Sequence, residues 1–407
     1  MILSAAWQGK RYAVYGLARS GLASVAALVR SGCEVACWDD NAEARGRANP
    51  FATRVDFLEE GLEGYDSLVV SPGVPINTHP IARLANEAGC EIIGDVELFA
   101  RARGDLPRHA VVGITGTNGK STTTALIDHV LRAAGVGSVA AGNIGAPILS
   151  LDPLPQGSAY VLELSSYQID LTHSLACEVA VILNITPDHL DRYDGDFAAY
   201  AASKERLFAM QSDAGVAIDM REVAAPDPGA RWSAALSGPH NAQNAAAAIL
   251  ACSALGLSRE EIERGLESFK GLPHRMERVA DKDGVAFVND SKATNVDSVA
   301  PALAAFDAIH WIAGGQAKSG DLSALEPHYD RVVRAYLVGE AQDLFAKALD
   351  GKVHFVKTGT IEEAVKQAAA AAGRGETVLL SPACASFDQF RDFEARGEAF
   401  RAAVEAL

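Results

Sequence analysis

The feature that most constrains this chain is a nine-residue loop between a predicted strand and a predicted helix. Residues 113–121 read Gly-Ile-Thr-Gly-Thr-Asn-Gly-Lys-Ser, after the apolar stretch 110–112 and before the helical stretch 122–134. In such a loop the backbone amides and the helix N-terminus point at phosphate oxygens, the lysine offsets their charge, and the hydroxyl can reach Mg²⁺. The sequence therefore predicts a site for a nucleotide triphosphate. Its predicted ligand-binding residues are Gly116, Thr117, Asn118, Gly119, Lys120, Ser121 and Thr122.

The loop is a variant of the common phosphate-binding pattern. The strict form, G-x-x-x-x-G-K-[ST], requires glycine at position 114, where this chain has Ile114. The glycines stand at 113, 116 and 119 instead. The variant narrows the set of protein families that the loop can indicate.

Size and charge limit the class of protein further. A chain of 407 residues with 49% hydrophobic residues is long enough for two or three domains with real cores. A net charge of −16 argues against nucleic acid and anionic membranes as partners, because both require a basic surface. No apolar run approaches the roughly 20 residues of a membrane span, and the six scattered cysteines fit free thiols in a reducing compartment. We expect a cytoplasmic protein that binds no nucleic acid, does not insert into membranes and works as a monomer.

The order of predicted strands and helices indicates an α/β fold. Strands and helices alternate in three series that begin near residues 11, 110 and 285, which is typical of parallel sheets. We predict three domains over residues 1–94, 95–270 and 271–407. The segment 219–234, with two prolines, is predicted as a loop or as weak strands.

The glycine turn after the first strand leaves two interpretations open. Residues 16–21 resemble a dinucleotide-binding turn but lack its middle glycine, so a simple tight turn explains them equally well. Asp39 and Asp40 at the end of the second strand favour a contact to ribose or base.

Two chemically active residues follow strands of the second series. Glu163 ends an apolar strand, where a carboxylate beside a phosphate loop is placed to hold Mg²⁺; the alternative is a capping or solvated glutamate. His189 follows the next strand and is equally consistent with a metal ligand, a ribose contact or a structural histidine.

Two helices of the second series carry further candidates. Lys204 lies in the apolar-leaning helical stretch 197–210, where residue type alone favours a surface lysine whose stem covers apolar neighbours. Asn241 and Asn244 open an alanine-rich helix. They can cap it, or face one ligand together, since an amide both donates and accepts hydrogen bonds.

The third series carries polar loops at strand ends. Residues 289–295 are too polar to be explained by packing, and Lys318 and Ser386 follow two other strands. At the predicted second boundary, Arg275 is either an ordinary linker arginine or a phosphate clamp.

The cationic and hydroxyl groups predicted in all three series suit an enzyme that joins two anionic molecules with ATP. Phosphorylating a carboxylate creates a leaving group that an amine can displace, and lysines and Mg²⁺ offset the repulsion between the anions.

The phosphate loop resembles that of the Mur ligases of peptidoglycan synthesis. Residues 289–295 (Asn-Asp-Ser-Lys-Ala-Thr-Asn) and 381–390 (Ser-Pro-Ala-Cys-Ala-Ser-Phe-Asp-Gln-Phe) are similar to motifs of the D-glutamate-adding branch of that family. The resemblance implies a Rossmann-like N-terminal domain for the UDP-substrate, a central P-loop ATPase-like domain and a Rossmann-like C-terminal domain for the amino acid. It implies ATP-dependent addition of D-glutamate to UDP-N-acetylmuramoyl-L-alanine through an acyl phosphate.

The resemblance also implies roles for individual residues. The catalytic residues would be Lys120, Glu163, His189, Lys204 and Lys292. Two Mg²⁺ ions would be held by Ser121, Glu163, His189 and Lys204, the last as a carbamate formed with CO₂. The nucleotide would contact Asn241, Asn244, His274, Arg275 and Asp290. The other substrates would contact Ser20, Ser71, Asn143, Gln168, Thr294, Lys318, Ser386, Phe387 and Phe393, with Arg19, Asp39 and Asp40 near the uridine.

Two features depart from the family pattern, and two other functions stay open. Gln316 and Ala317 precede Lys318 where an acid or glycine is commoner, and the region 213–236 is short for the family. One alternative is a related ligase that adds L-glutamate, or one of the folylpolyglutamate type. The other is a non-catalytic nucleotide-binding regulator, which the joint presence of Glu163, Lys204 and Lys292 disfavours.

Overall fold

The chain forms two compact units, Met1–Phe269 and Lys270–Leu407. The structure is a computed structural model that describes residues 1–224, 232–233, 236, 239–317 and 320–407. Over these residues it contains three sheets, two in the first unit and one in the second. Helices alternate with strands throughout, which is the α/β fold that the sequence predicts.

The first sheet is wholly parallel and has the strand order β3-β2-β1-β4-β5. Its strands are β1 (Arg11–Tyr15), β2 (Glu34–Trp38), β3 (Thr53–Arg54), β4 (Ser67–Val70) and β5 (Glu91–Ile93). Its helices are α1 (Arg19–Arg30), α2 (Ala42–Arg47), α3 (Phe57–Glu60), α4 (Pro80–Glu87) and α5 (Asp95–Ala102). The chain order reverses between β1 and β4, and in open parallel sheets ligands bind at such a reversal, beyond the carboxyl ends of the strands.

The second sheet is also parallel, with the order β10-β9-β6-β8-β7. Its strands are β6 (Ala110–Thr115), β7 (Ser138–Gly142), β8 (Ala159–Glu163), β9 (Val179–Ile182) and β10 (Val216–Asp219). Its helices are α6 (Lys120–Ala133), α7 (Ser166–Asp170), α8 (Phe197–Ala209), α9 (Pro239–Ala254) and α10 (Arg259–Ser268). The central strand β6 leads directly into the predicted phosphate loop, so that loop lies between the ends of β8 and β9.

The sheet of the second unit has the order β11-β12-β16-β13-β14-β15. Its strands are β11 (Glu277–Lys282), β12 (Val285–Asn289), β13 (Ile309–Gly314), β14 (Val332–Val338), β15 (Phe355–Gly359) and β16 (Thr377–Leu380). Its helices are α11 (Val296–Ala304), α12 (Gln342–Leu349), α13 (Ile361–Ala371) and α14 (Phe393–Glu405). Among the described strands of this sheet only β11 pairs antiparallel, so the carboxyl ends of β12, β16 and β13 lie side by side.

The buried strands were predictable and the edge strands were not. The strands expected near residues 11, 110 and 285 are β1, β6 and β12. The sequence analysis did not predict the strands at the sheet edges, which among the described residues are β3, β5, β7, β10, β11 and β15. The domain boundaries at 94 and 270 stay predictions, and much of the predicted loop 219–234 lies outside the described residues. None of the described helices combines the length and the apolar composition of a membrane-spanning segment.

A close helix contact supports a stability prediction. Gly265 of α10 faces Val130 of α6, and a Cβ at 265 would lie 2.9 Å from the Val130 Cα. We expect Gly265→Ala to lower the free energy of unfolding by about 1–3 kcal/mol, because the added methyl overpacks the contact. The control is Gly46→Ala in α2, where a Cβ would meet nothing within 4 Å and should be neutral or stabilise by up to about 1 kcal/mol. Denaturant unfolding measures both; equal effects at the two sites would contradict the contact argument.

Candidate active site

The phosphate loop joins β6 to α6 in a conformation that requires glycine. Gly119 is the N-cap of α6 with a left-handed φ of 87°, and a Cβ there would collide with the side-chain amide of Asn244. Gly116 has φ 150°, and a Cβ there would lie 3.0 Å from the Leu183 Cβ and 3.2 Å from the Asn184 carbonyl oxygen. The loop is therefore pressed between the end of β9 and helix α9.

Hydrogen bonds from the segment after β9 hold this loop in place. The Asn118 amide donates to Asn184 Oδ1 at 2.8 Å, and Asn184 Nδ2 donates back to the Asn118 carbonyl at 3.0 Å. The Thr117 hydroxyl donates to the Thr186 carbonyl at 3.0 Å and lies 3.1 Å from the Tyr200 hydroxyl. Asn184 was not among the predicted site residues, although it directly follows a strand of the same sheet.

The lysine of the loop lies over the loop's own backbone. Lys120 is the first residue of α6, and its Nζ donates to the carbonyls of Gly116 and Thr117 at 2.9 and 2.8 Å. Ser121 is buried at the start of the same helix. The loop thus presents an ammonium group, a hydroxyl and a helix N-terminus together, which are the groups that bind phosphate and its metal.

Lys204 is a buried residue rather than a surface lysine. Its side chain on α8 is 2% exposed, and its Nζ donates to the Gly116 carbonyl at 3.0 Å and lies 4.7 Å from the centre of the Tyr200 ring. Burial, reinforced by the charge of Lys120, lowers the pKa of Lys204 to about 7, against the opposing effect of Asp188 and Asp170. The surface interpretation is therefore wrong. At neutral pH a large fraction of this amine is uncharged and nucleophilic.

Glu163 is likewise buried beside the loop and is neither solvated nor a helix cap. Its side chain is 2% exposed; Oε1 accepts a hydrogen bond from Asn143 Nδ2 at 2.9 Å. Within the described residues, Oε2 is buried without a hydrogen-bond partner. A buried carboxylate oxygen without a donor is costly, and a cation bound there would remove the cost.

The donor set fits a magnesium ion better than a fully protein-bound metal. The described residues contain no group of three or more His, Cys, Asp or Glu side chains that could hold a metal. Mg²⁺ typically takes one or two protein oxygens together with phosphate and water. Ser121 and Glu163 supply such oxygens beside the phosphate loop.

The cleft above the loop also contains the predicted histidine. His189 has a left-handed φ of 51°; its ring is 57% exposed and lies 3.5 Å from an Asp188 carboxylate oxygen. The cleft encloses about 260 Å³. Its lining residues are Pro72, Gly73, Lys120, Asn143, Ser165, Ser166, Tyr167, Asp188, His189, Tyr200 and Lys204. An exposed, strained histidine in a polar cleft is better placed for a ligand than for a core.

A second cleft of about 230 Å³ adjoins the first. Its lining residues are Ala18, Arg19, Ser20, Pro72, Asp95, Gly142, Asn143, Gly145, Pro147 and Gln168. Pro72 and Asn143 line both clefts, so a ligand can extend from the end of the first sheet to the phosphate loop. The structure thereby brings together Ser20, Asn143 and Gln168, three of the predicted substrate residues.

Other predicted residues near this second cleft already have partners in the fold. The Ser71 hydroxyl donates to the Gly16 carbonyl at 2.7 Å, and Asp39 accepts hydrogen bonds from the amides of Leu17 and Asn41. Asp40 accepts from the Tyr15 hydroxyl at 2.8 Å. These bonds hold the turn after β1, and a contact of this turn with a ligand stays a prediction.

Asn241 and Asn244 lie on the first turns of α9, beside the phosphate loop. Asn244 Oδ1 accepts from the Thr123 hydroxyl at 3.2 Å, and its Nδ2 lies 3.3 Å from Asn241 Oδ1. The two amides therefore act on the same side of the helix, as their spacing predicts. Their contact with adenine stays a prediction.

The polar loops of the second unit meet at one sheet edge. Asp290, after β12, accepts from the Ser381 hydroxyl at 2.9 Å and from the Met276 amide at 3.1 Å. Burial raises the pKa of Asp290 to about 6. Asp290 thus ties together the segments after β12 and β16 and the segment before β11. Its nucleotide contact stays a prediction.

The neighbouring predicted residues differ in how accessible they are. The His274 ring is buried against Gly397 and lies 3.0 Å from Asn289 Nδ2, while the Arg275 side chain is exposed. Lys292 Nζ lies 5.7 Å from the centre of the Phe393 ring. Of the other predicted residues at this edge, Thr294 is half-buried, Ser386 is buried and Phe387 is exposed. Lys318 lies outside the described residues.

One acid of the second cleft was missed by the sequence analysis. Asp95 begins α5 directly after β5, lines the cleft and is 5% exposed. Burial raises the pKa of its carboxyl to about 6. An acid two residues beyond a strand was a usable signal, but β5 itself was not predicted.

Together these features define a nucleotide-phosphate-binding α/β protein with a variant phosphate loop, a buried lysine beside it and two adjoining clefts. Three family models match the chain: the Mur ligase MurD-like N-terminal domain over residues 10–94, the Mur ligase middle domain over 114–224, and the Mur ligase glutamate ligase domain over 274–384. The chain belongs to the Mur ligase family.

Curated relatives align over the whole chain. The UDP-N-acetylmuramoylalanine–D-glutamate ligase of Sphingopyxis alaskensis is 56% identical over 100% of both chains. The enzyme of the same name from Novosphingobium aromaticivorans is 54% identical over 100% of this chain and 97% of its own.

Solved structures share the fold at low identity. MurC of Thermotoga maritima has a TM-score of 0.59 at 17% identity, covering 98% of this chain and 99% of its own. MurF of the same organism, in complex with ADP, has a TM-score of 0.55 at 19% identity, covering 86% and 92%. These likenesses confirm the three-domain α/β architecture.

The buried carboxyl of Asp95 leads to a pH prediction. A carboxyl whose pKa is raised in the folded state is most favourable when protonated, so its contribution to stability is lost as pH rises from about 4 through about 6. We expect Asp95→Asn to be more stable than the parent at pH 7.5, by up to about 3 kcal/mol. The difference should shrink toward pH 5. Thermal unfolding from pH 5 to 8 measures it; a difference that does not vary with pH would contradict the argument.

Proposed function

We propose that the protein is an ATP-dependent ligase that joins D-glutamate to UDP-N-acetylmuramoyl-L-alanine in peptidoglycan synthesis. The observation that carries the proposal is the meeting of the two clefts at Asn143, which lets a substrate reach from the first sheet to the phosphate loop. The names of the relatives that align over the full chain support the same substrates.

The reaction has two steps. The alanyl carboxylate attacks the γ-phosphorus of ATP, so an oxygen–phosphorus bond forms, the bond to ADP breaks, and an acyl phosphate results. The uncharged amine of D-glutamate then attacks the acyl carbon, loses a proton, and phosphate leaves with the bonding electrons. Both steps bring anions together, so nearby cations and helix N-termini lower the barrier.

Lys120 and the loop amides would hold the phosphates of ATP. A bound Mg²⁺ would offset phosphate charge, with Ser121 and Glu163 as its protein ligands. The buried, unpartnered Oε2 of Glu163 supports that assignment. His189, at the cleft surface, would serve a second Mg²⁺.

We further propose that Lys204 reacts with CO₂ to form a carbamate. The uncharged amine attacks the carbon of CO₂, a nitrogen–carbon bond forms, and a proton passes to solvent. The lowered pKa and burial of Lys204 support this reaction, because an uncharged amine is required. The product is an anion in place of a cation, able to hold a metal ion near Asp188 and His189.

D-glutamate would bind at the polar edge of the second unit. The proposed contacts are Lys292, Thr294, Lys318, Ser386, Phe387 and Phe393. Asn241, Asn244, His274, Arg275 and Asp290 are proposed for the nucleotide. We infer a cytoplasmic monomer, since the substrates are water-soluble and one chain carries the proposed residues for all three.

The enantiomer of glutamate provides the first test. We expect ADP release with UDP-N-acetylmuramoyl-L-alanine, ATP and D-glutamate, and little release with L-glutamate. Both enantiomers carry the same charges, so selectivity must come from the shape of the site. Turnover with L-glutamate alone would overturn the proposal in favour of an L-glutamate-adding ligase. ATP binding without glutamate-dependent turnover would indicate a regulator.

The role of Lys204 provides the second test. We expect Lys204→Ala to lose activity by on the order of 100-fold, with partial recovery in added acetate, which supplies the missing carboxylate. Lys204→Arg is the control: its guanidinium stays charged and cannot form the carbamate, so acetate should not restore it. Full activity of Lys204→Ala would contradict the role.

The stability of a Lys204 variant separates folding from chemistry. Burial disfavours the charged form of Lys204 in the folded state, so folding has to remove a proton that the unfolded chain keeps. The cost is absent above the ordinary lysine pKa and grows as pH falls toward about 7. We therefore expect Lys204→Met to melt above the parent at pH 7, by roughly 2–4 °C per kcal/mol gained. A lower melting temperature would mean that the charged amine stabilises the fold.

A further inference from the structure

Arg396 is a buried arginine whose hydrogen bonds all go to two loops of the second unit. Its side chain, on α14, is 1% exposed. Nε donates to the Ser291 hydroxyl at 3.0 Å, one terminal nitrogen donates to the Ser291 carbonyl at 2.9 Å, and the other donates to the Ala385 carbonyl at 3.2 Å.

Arg396 forms no ion pair within 4.0 Å among the described residues, and Asp388 is the carboxylate whose charge acts on it from farther away. Burial lowers the pKa of Arg396 to about 10, so it still carries its charge at neutral pH. Arginines are seldom fully buried unless they are paired, because removing the charge from water is energetically costly. A buried positive charge without an ion-pair partner attracts an anion that binds nearby, because the low dielectric of the interior screens it weakly.

The two loops are those that carry proposed contacts to the amino acid. Ser291 precedes Lys292, and Ala385 precedes Ser386. The Ser291 hydroxyl also donates to the Phe393 carbonyl at 2.8 Å, so one serine joins Arg396 to the start of α14.

The space around the guanidinium leaves it little freedom to move. Gly315, after β13, has φ 127°, and a Cβ there would lie 3.1 Å from an Arg396 terminal nitrogen and would collide with the Ala385 carbonyl. The guanidinium is therefore enclosed by the segments that follow β12, β16 and β13. Its planar donors bond to Ser291 and Ala385 and so hold the segments after β12 and β16 at a fixed separation.

We propose that Arg396 is a positioning residue for the amino-acid substrate: it holds the Lys292 and Ser386 loops together and places an unpaired positive charge behind them that attracts the carboxylates of glutamate. The inference rests on the proposed function. A residue that only maintains the fold would affect all substrates alike. A residue with the proposed role changes the KM for glutamate selectively.

The test compares Arg396→Lys and Arg396→Met with the parent in steady-state ADP release. We expect Arg396→Met to raise the KM for D-glutamate by roughly 10–100-fold while the KM for ATP stays within about twofold. Arg396→Lys, which keeps the charge but not the planar donors, should fall between the two. The control is Arg331→Met, which also removes bonds to two backbone carbonyls of this unit, those of Ala304 and Phe306, and should leave the KM for glutamate unchanged.

The outcomes separate the inference from the function on which it rests. A parent without D-glutamate-dependent ADP release overturns the proposed function and the inference with it. An active parent and an Arg396→Met variant with an unchanged KM for glutamate overturn the inference alone, as does an equal loss for every substrate. If Arg396→Met does not fold, Ser291→Ala removes the acceptor of Nε while leaving the arginine, and the same selective rise in KM for glutamate is expected; its absence overturns the inference.

Discussion

The pairing of β6 with β8 and β9 is the constraint on which the active site depends. Ile114 pairs with Glu163 and Thr115 pairs with Ile182, so the three strands end at almost the same level. The phosphate loop therefore leaves β6 between a strand that ends in a buried acid and one that leads to Asn184. A shift of register by one residue would turn each side chain to the opposite face of the sheet and remove Glu163 from the loop.

Three of the residues proposed to act in the site carry buried charge. Lys204, Glu163 and Arg396 are each at most 2% exposed. Each lacks the partner that would offset its desolvation: the Lys204 amine has a lowered pKa, one Glu163 oxygen accepts no hydrogen bond among the described residues, and Arg396 forms no ion pair there. Such groups reduce stability, and a protein retains them where a ligand completes the charge balance.

The sequence predicted the site best where the reactive residues follow directly from a recognisable backbone feature, such as a glycine loop or a strand end. A glycine loop between strand and helix has one common use, and the acids and amides at neighbouring strand ends must converge if the sheet is parallel. The sequence did not predict which ionisable side chains are buried in the fold. The stretch around Lys204 is compatible with a surface helix, and only the packing of α8 against the loop buries the amine. Asp95 was missed because β5, which positions it, has a short and mixed sequence.

The sequence by itself determined the α/β class, the phosphate loop and the family, because glycine positions, strand-end polarity and motif spacing are local properties of the chain. Tertiary structure decided which of those groups are desolvated. It placed Lys204 over the Gly116 carbonyl, left a Glu163 oxygen without a donor and enclosed Arg396 between two loops. Desolvation depends on every element packed around a group, and those elements are distant in sequence. For that reason the ionisation of Lys204 and the buried charge of Arg396 follow from the fold and not from the residues alone.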